Sequence, residues 1–345
     1  MPKDNQEELL NRFFKQLTGV TPTDITELRP HASERRIFRL TSSDTSIIGA
    51  INPIRRENDA FVSFARYFFS RGLPVPEIYL YEPDYNLILE QDLGDETLFD
   101  LLAKERTSAK SANDFPPAAE ALYLKSLEFL PRFQIECAKD FDFATCYPER
   151  DLLPGTFAGD CANFAKELVL RLLPDFDLSP LTKDFAELIA FLERADASNF
   201  VYRDFQSRNI MAVNGAPFFI DFQSGRRGAL QYDVVSLLYQ SSTKIPSESR
   251  ARLVEHYIAE ASKYASIDRQ LFYHYYSGFI IARMLQVLGV YGRQGLGAGK
   301  SYFTDSIPGA LATLSSELNK NNLPVSLPRI RECVERLLAI TDKKI

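Results

Sequence analysis

No apolar run approaches the roughly 18 residues that a membrane-crossing helix needs. The amino terminus, MPKDNQEELLNRFF, is charged and helix-like where a secretory leader would be apolar. Both absences set cytoplasmic placement, without a membrane partner, as the expectation. The four cysteines, at 137, 146, 161 and 333, have no C-x-x-C spacing and are read as reduced and structural. A basic excess is also missing. With a net charge of −6 and a pI near 5.4, the chain does not bind nucleic acid or anionic lipid by bulk charge. Internal repeats are absent. One apparent phosphate loop, GLGAGKS at 295–301, lacks its first glycine, because position 294 is Gln294. The residues before it, FIIARMLQVLGVYG, read as a long helix containing Arg283, whereas such a loop must follow a strand. A Walker-type site is therefore excluded.

What is present is an ordinary globular composition, 45% hydrophobic and 25% charged, over 345 residues, a length that suggests two domains. The most informative stretch is FVYRDFQSRNIMAVNGAPFFIDFQSGRRGALQYD at 200–233. Two apolar runs, Ile210 to Val213 and Phe218 to Ile220, flank Asn214-Gly215, which predicts a tight β-hairpin. A hairpin returns the chain to its start, so Asn209 should lie beside Asp221, with Asp204 in the polar loop facing the same space. Two carboxylates and an amide then present oxygen together. Such a set suits a hard cation such as Mg2+ and leaves Asp204 free to accept a proton. Taken singly, each of these residues also fits a turn former or a helix cap.

Around this centre the chain changes character. Residues 6–17 read as an amphipathic helix, and 34–51 as a hairpin turning at TSSDT. Phe61, Phe64, Ala65 and Phe68 mark the buried face of a helix at 57–70, with Glu57 on that same face. Strands EIYLYE and NLILEQ follow, and a boundary is placed near residue 93, giving domains 1–93 and 94–345. Beyond it, a loop is expected at 104–117 and helices near 118–138, 160–173, 182–198 and 328–340. Gly225 and Gly228 bracket Arg226-Arg227 in what reads as an anion-holding loop. Asp233 is expected to cap the apolar helix it opens and to brace the loop holding Asp204.

The order D-x4-N, hairpin, D-F-x resembles the catalytic arrangement of kinase-fold phosphotransferases. With S-E-R-R-I-F-R, L-P-V-P-E and E-Q-D-L-G-D, the chain resembles the aminoglycoside phosphotransferase and choline kinase family over nearly its full length. R-D-F-Q-S-R-N, I-D-F-Q-S-G-R-R-G and L-G-V-Y-G-R-Q-G are similar to the branch of bacterial cell-wall amino-sugar kinases, which phosphorylate the anomeric hydroxyl of N-acetylmuramate and N-acetylglucosamine.

The resemblance implies an α+β, bilobal protein-kinase-like fold, with a small antiparallel-sheet amino lobe and a larger, mainly helical carboxyl lobe. It implies ATP and Mg2+ as cofactors, Asp204 as catalytic base, and Asn209 and Asp221 as metal ligands. Nucleotide contacts are expected from Ser33 and Arg36 in the first hairpin, where Arg35 and Arg39 are further candidates for the phosphates in place of the missing Gly-rich loop, from Glu57, and from backbone groups at Glu90, Gln91 and Asp92 at the hinge. Arg227, Arg283 and Arg293 are the candidate acceptor contacts, with the Gly-rich 295–301 stretch lining that pocket. The acceptor is expected to be a small molecule, an amino sugar, and the chain a monomer.

Two departures stand out. Tyr202 replaces the histidine of many members, and the third strand, IIGAINP, has no lysine to pair with Glu57; Arg55 and Arg56 are possible substitutes. Two other readings remain open: a kinase of aminoglycosides or other small molecules, and a silent kinase-like protein that binds a nucleotide or a partner for regulation.

Overall fold

Alternating apolar residues in the amino-terminal part of the chain build one antiparallel sheet, and what lies on its two faces decides where the cleft forms. The computed structural model describes residues 3–28, 35–108, 115–320 and 322–344. Helix α1 (Lys3–Thr18) leads into β1 (Asp24–Leu28), β2 (Arg36–Thr41), β3 (Ser46–Ile51), α2 (Arg55–Ser70), β4 (Ile78–Glu82) and β5 (Leu87–Gln91). The strands lie in the order β1-β2-β3-β5-β4. β1 was not legible in the sequence. It is a polar edge strand, DITEL, with no buried residue to set up an alternation.

Phe38, Leu40, Ile47, Ile51, Leu87 and Leu89 form one face of the sheet, packed on Leu9, Leu10, Phe13 and Phe14 of α1. Gly49 lies on this face. A Cβ there would stand 2.6 Å from Leu10 Cδ2 and 2.8 Å from Leu40 Cδ1, so the missing side chain lets α1 settle directly on β3. The opposite face, with Ala50 and Ile88, joins Phe61, Phe64, Ala65 and Phe68 of α2 in the large core that continues into the helical region. Period-two alternation thus sends every second residue of β2, β3 and β5 toward the rest of the molecule.

The remainder is mainly helical. It comprises α3 (Leu98–Ser108), α4 (Pro117–Pro131), α5 (Phe157–Asn163), α6 (Leu170–Leu172), α7 (Ser179–Leu192), β6 (Asn199–Val201), β7 (Ile210–Val213), β8 (Ala216–Phe219), β9 (Arg226–Gly228), α8 (Gln231–Leu238), α9 (Ser247–Ala261), α10 (Arg269–Tyr291), α11 (Ser301–Asn319) and α12 (Pro328–Lys344). No helix among the described residues is long and apolar enough to cross a membrane. The architecture is the α+β, kinase-like one that the motifs imply.

Three local expectations need correction. The polar stretch after 104 does not leave the helix at once, since α3 runs to Ser108. The helix expected to reach 198 stops at Leu192, because Asn199–Val201 is a strand that pairs with Arg226–Gly228. That pairing also turns the expected anion-holding Arg226-Arg227 loop into an antiparallel strand. The GLGAGKS stretch follows helix α10 and opens α11, with no strand before it.

Candidate active site

Asn214 and Gly215 both take left-handed φ, 51° and 74°, as a two-residue turn matched to strand twist requires. Register follows from the turn: Val213 pairs Ala216 and Ile210 pairs Phe219. One more bond, Ile220 N–H to Asn209 C=O at 3.0 Å, carries the ladder to the mouth of the hairpin. Asn209 Nδ2 consequently reaches Asp221 Oδ2 at 3.3 Å and the Asp204 backbone carbonyl at 2.9 Å. The sequence-predicted trio is brought together.

Two residues of this centre hold an uncommon backbone conformation. Arg203, just before Asp204, has φ 73°, and Asp221 has φ 67°, where residues with a Cβ are rare. Such strain persists only where surrounding contacts enforce it. Here a buried network does so. Asp233, wholly buried in α8, accepts the backbone N–H groups of Tyr202 at 2.7 Å and Arg203 at 2.8 Å. Tyr202 in turn donates its hydroxyl to the Ile220 carbonyl, tying the Asp204 loop to the approach to Asp221. Asp233 therefore braces the loop, as expected, but it is the third residue of α8 and does not cap it.

The carboxylate of Asp204 is half-buried. Its Oδ1 accepts from Gln206 Nε2 at 3.4 Å and faces Arg283 Nη1 at 3.8 Å. Burial, and then the neighbouring Asp204 charge, raise the pKa of Asp221, while a 2.7 Å hydrogen bond from Gln223 offsets part of the rise. A divalent cation relieves that kind of charge crowding. Both Nδ2 contacts of Asn209 are made to Asp204 and Asp221, which leaves its Oδ1 as the atom available to a cation. No group of three or more His, Cys, Asp or Glu side chains suited to a metal occurs among the described residues. One carboxylate and one amide nevertheless fit Mg2+, which takes its remaining ligands from water and phosphate oxygens.

On the sheet side, the expected nucleotide contacts divide. Arg36 points away from the cleft. It shares a face with Phe38 and Leu40, and binds Glu27 at 2.7 and 2.8 Å, and Gln6 of α1. Ser33 lies outside the described residues. Glu57 is paired neither by Arg55, which faces Asp59 and Asp84, nor by Arg56, which stacks on Tyr147. Its partner is Asn52 Nδ2 at 3.1 Å. Glu90 turns its side chain into the cleft, where burial pushes its carboxyl up to about 7. Gln91 gives its backbone N–H to Glu77 at 2.9 Å, so strand pairing consumes the donor expected to meet adenine. Asp92 is clasped by Arg39 at 2.7 and 3.0 Å and anchors the start of the hinge.

On the acceptor side, the three candidate arginines do not line one pocket. Arg227 is bound to Asp151 at 2.6 Å, because it alternates with Arg226 across β9 and faces the other way. Arg293 is exposed on the π-helical segment Gly292–Gly297 that continues α10. Arg283 does reach Asp204, at 3.8 Å, but it is 2% exposed and also donates to Tyr232 at 3.2 Å. Its side chain is held between Asp204 and Tyr232.

Sequence reasoning singled out Arg226 and Arg283 near Asp204 but missed Arg203 and Asp160. Arg203 stands 3.9 Å from Asp160 of α5, and buried Arg226 bonds Thr156 at 2.5 Å. Asp160 is pushed to about 6 by burial, against the pull of Arg203 and Arg283. The sequence signal for Arg203 was its place next to Asp204; nothing in the sequence pointed to Asp160.

Several known proteins are similar to this chain. The chain is 26% identical over 294 residues to an N-acetylmuramate/N-acetylglucosamine kinase of Neisseria meningitidis serogroup B, covering 83% of each chain. It is 25% identical over 298 residues to the protein of the same name from Pseudomonas aeruginosa, covering 84% of this chain and 82% of the other. Among solved structures, the amicoumacin kinase hAmiN, in complex with AMP-PNP, Ca2+ and Ami, superposes with a TM-score of 0.65 at 13% identity, over 96% of this chain and 100% of that one. Choline kinase LicA from Streptococcus pneumoniae gives 0.61 at 9% identity, over 90% and 99%. At these identities the structural likeness concerns the fold. The model of the phosphotransferase enzyme family matches residues 24–269, most of the length over which the sheet, hinge and catalytic hairpin extend, and the chain belongs to that family.

Proposed function

We propose that this phosphotransferase moves the terminal phosphoryl group of ATP to a hydroxyl of an N-acetylated amino sugar, at the anomeric position, in cell-wall recycling. The observation that carries the reading is the convergence of Asp204, Asn209 and Asp221 at the mouth of one hairpin. Asp204 takes the proton from the acceptor hydroxyl as its oxygen forms the new bond to phosphorus; the bond to the bridging oxygen of ADP breaks. Asn209 and Asp221 hold Mg2+, whose charge neutralises the ATP phosphates. Asn209 also fixes the Asp204 carbonyl, and Arg283 the Asp204 carboxylate, so that the base is placed before substrate arrives.

The acceptor class rests on charge. A polycationic aminoglycoside calls for a cluster of acids, whereas Asp204 is surrounded by Arg203, Arg226 and Arg283, with Asp160 the acid facing them. A neutral or anionic sugar suits these surroundings, in keeping with the names of the relatives at 25% and 26% identity. The test measures ADP release with N-acetylmuramate, N-acetylglucosamine, kanamycin and choline side by side, using the wild type and Asp204→Ala. Turnover of the two sugars, cut at least about a hundredfold in Asp204→Ala, is the expected result. ATP binding without turnover of any acceptor would favour a silent, regulatory protein instead.

A further inference from the structure

Helix α8 presents a polar stripe to the loop that carries Asp204. Asp233 accepts the N–H groups of Tyr202 and Arg203, and one turn on, Ser236 Oγ donates to the Arg203 carbonyl at 3.3 Å. Asp233, Ser236 and Gln240 stand at i, i+3 and i+7, the spacing of one helix face, with Gln240 two residues beyond the end of α8 at Leu238. Gln240 grips the loop on the other side of Asp204. Its Oε1 accepts from the backbone N–H of Ser207 at 3.0 Å and from Ser207 Oγ at 2.7 Å. Its own backbone is pinned, because its carbonyl accepts from Thr243 N–H at 3.0 Å and Thr243 Oγ1 at 2.8 Å.

With its oxygen committed to two donors, Gln240 has only amide N–H groups to offer onward. Its Nε2 donates to Gln206 Oε1 at 3.1 Å. Gln206 then meets the same restriction: its oxygen is taken, and its Nε2 faces Asp204 Oδ1 at 3.4 Å. A primary amide carries its donor on one side and its acceptor on the other, so what one end binds decides what the other presents. A backbone N–H cannot reverse. The Ser207 N–H therefore sets the sense of the whole chain of bonds, through Gln240 and Gln206 to the carboxylate.

The tetrapeptide D-F-Q-S occurs twice, at 204–207 and at 221–224, and each glutamine donates to the acid two positions before it. The two copies differ behind the amide. Gln223 Oε1 is buried and has no hydrogen-bond partner among the described residues, whereas Gln206 Oε1 is held by Gln240. The lock is applied to Asp204 and not to Asp221.

We propose that Gln206 is a positioning residue for Asp204, and that Gln240 sets the direction in which the Gln206 amide points. This deepens the reading above and rests on Asp204 being the base. Gln206 Nε2 and Arg283 Nη1 both address Oδ1 of Asp204, at 3.4 and 3.8 Å. Held through that one oxygen, the carboxylate keeps a fixed rotation and presents Oδ2 to the acceptor hydroxyl. A reversed Gln206 amide would instead set oxygen against oxygen and turn the carboxylate away.

Steady-state kinetics of the full chain, with ATP binding and urea unfolding alongside, test this on the acceptor that the wild type phosphorylates. Gln240→Glu keeps an oxygen for Ser207 but sets a second oxygen against Gln206, whose amide must then reverse. It should lower kcat by at least about tenfold while acceptor KM and ATP affinity stay within about twofold, the split expected of a displaced base. Gln206→Leu should lower kcat by a similar factor. The double variant should lose no more than Gln206→Leu alone, because Gln240 acts through that amide. Wild-type kcat in Gln206→Leu, or single losses that multiply in the double variant, would overturn the proposal. Should Gln240→Glu fail to fold, Gln206→Leu alone decides, by the same split between kcat and KM. A wild type that phosphorylates none of N-acetylmuramate, N-acetylglucosamine, kanamycin and choline removes the kinase reading and this inference with it; unaffected variants of an active wild type remove the inference alone.

Discussion

Asp233 accepts the backbone N–H of Tyr202 at 2.7 Å with one carboxylate oxygen, and thirty-one positions of chain are joined by that bond. Its other oxygen takes the N–H of Arg203 at 2.8 Å, and Gln134, itself held by Tyr257 at 2.6 Å, donates to the first oxygen at 3.0 Å. Both oxygens are needed as acceptors. An amide offers only one and presents N–H groups in place of the other.

Asp233→Asn should therefore disturb the loop more than the fold. Burial pushes the Asp233 carboxyl to about 7 against the pull of its donors, so a neutral side chain recovers part of what the lost acceptor costs. The loop geometry is not recovered. A displacement of the base lowers kcat by about tenfold to a hundredfold. Steady-state kinetics alongside urea unfolding checks this, and unchanged kcat would show that Asp204 does not depend on this brace.

Asn209 and Asp221 share a hydrogen bond at 3.3 Å, so their variants should not act independently. Either Asn209→Ala or Asp221→Ala should weaken Mg2+-dependent ATP binding, and the double variant should lose less than the sum, with a coupling of about 0.5–3 kcal/mol. A magnesium titration of ATP affinity reads this out. Strict additivity would separate the two residues into different sites.

The hairpin centre was legible because its signal is local: Asn-Gly sets the turn, the turn sets register, and register brings Asn209 to Asp221. The face of a β-strand residue is also local in principle. Arg36 was nonetheless taken for a cleft residue, although sharing a face with Phe38 and Leu40 sends it to α1. Arg227 failed for a different reason. Nothing in G-R-R-G announces a strand, and its partner Asp151 is 76 positions away in sequence. Long-range pairs such as Arg203 with Asp160 depend on how α5 packs under the loop, which no spacing in the sequence encodes.

Glu90 should give stability a pH slope. Burial raises its carboxyl from 4.5 to about 7, with Arg35 opposing and Asp221 adding to the rise. Between those values the folded chain keeps a proton that the unfolded chain has released. This contribution is present in full below about 4.5 and is lost as pH rises toward about 7, by at most roughly 3 kcal/mol. Glu90→Gln has no proton to lose. From about pH 5 to about pH 8, the urea midpoint of the wild type should fall more than that of the variant. Parallel profiles would remove Glu90 as the source.

On the proposed function, the acceptor is read by charge beside Asp204. Arg203 keeps its side chain 20% exposed while Asp160, 3.9 Å away, holds it without a close hydrogen bond. Arg226, behind it, is buried at 1% exposure and carries an Nη2 with no hydrogen-bond partner among the described residues. A carboxylate on the acceptor would answer that excess of positive charge, and N-acetylmuramate carries a lactyl carboxylate that N-acetylglucosamine lacks. Arg203→Gln should therefore lower kcat/KM for N-acetylmuramate by about tenfold more than for N-acetylglucosamine, the size of one charge-assisted hydrogen bond. Asp160→Asn frees Arg203 and should shift the same ratio the other way. Equal losses on both sugars would mean that Arg203 acts only through the Asp204 loop. Efficient phosphorylation of kanamycin, with neither sugar turned over, would overturn the amino-sugar assignment and leave the general phosphotransferase.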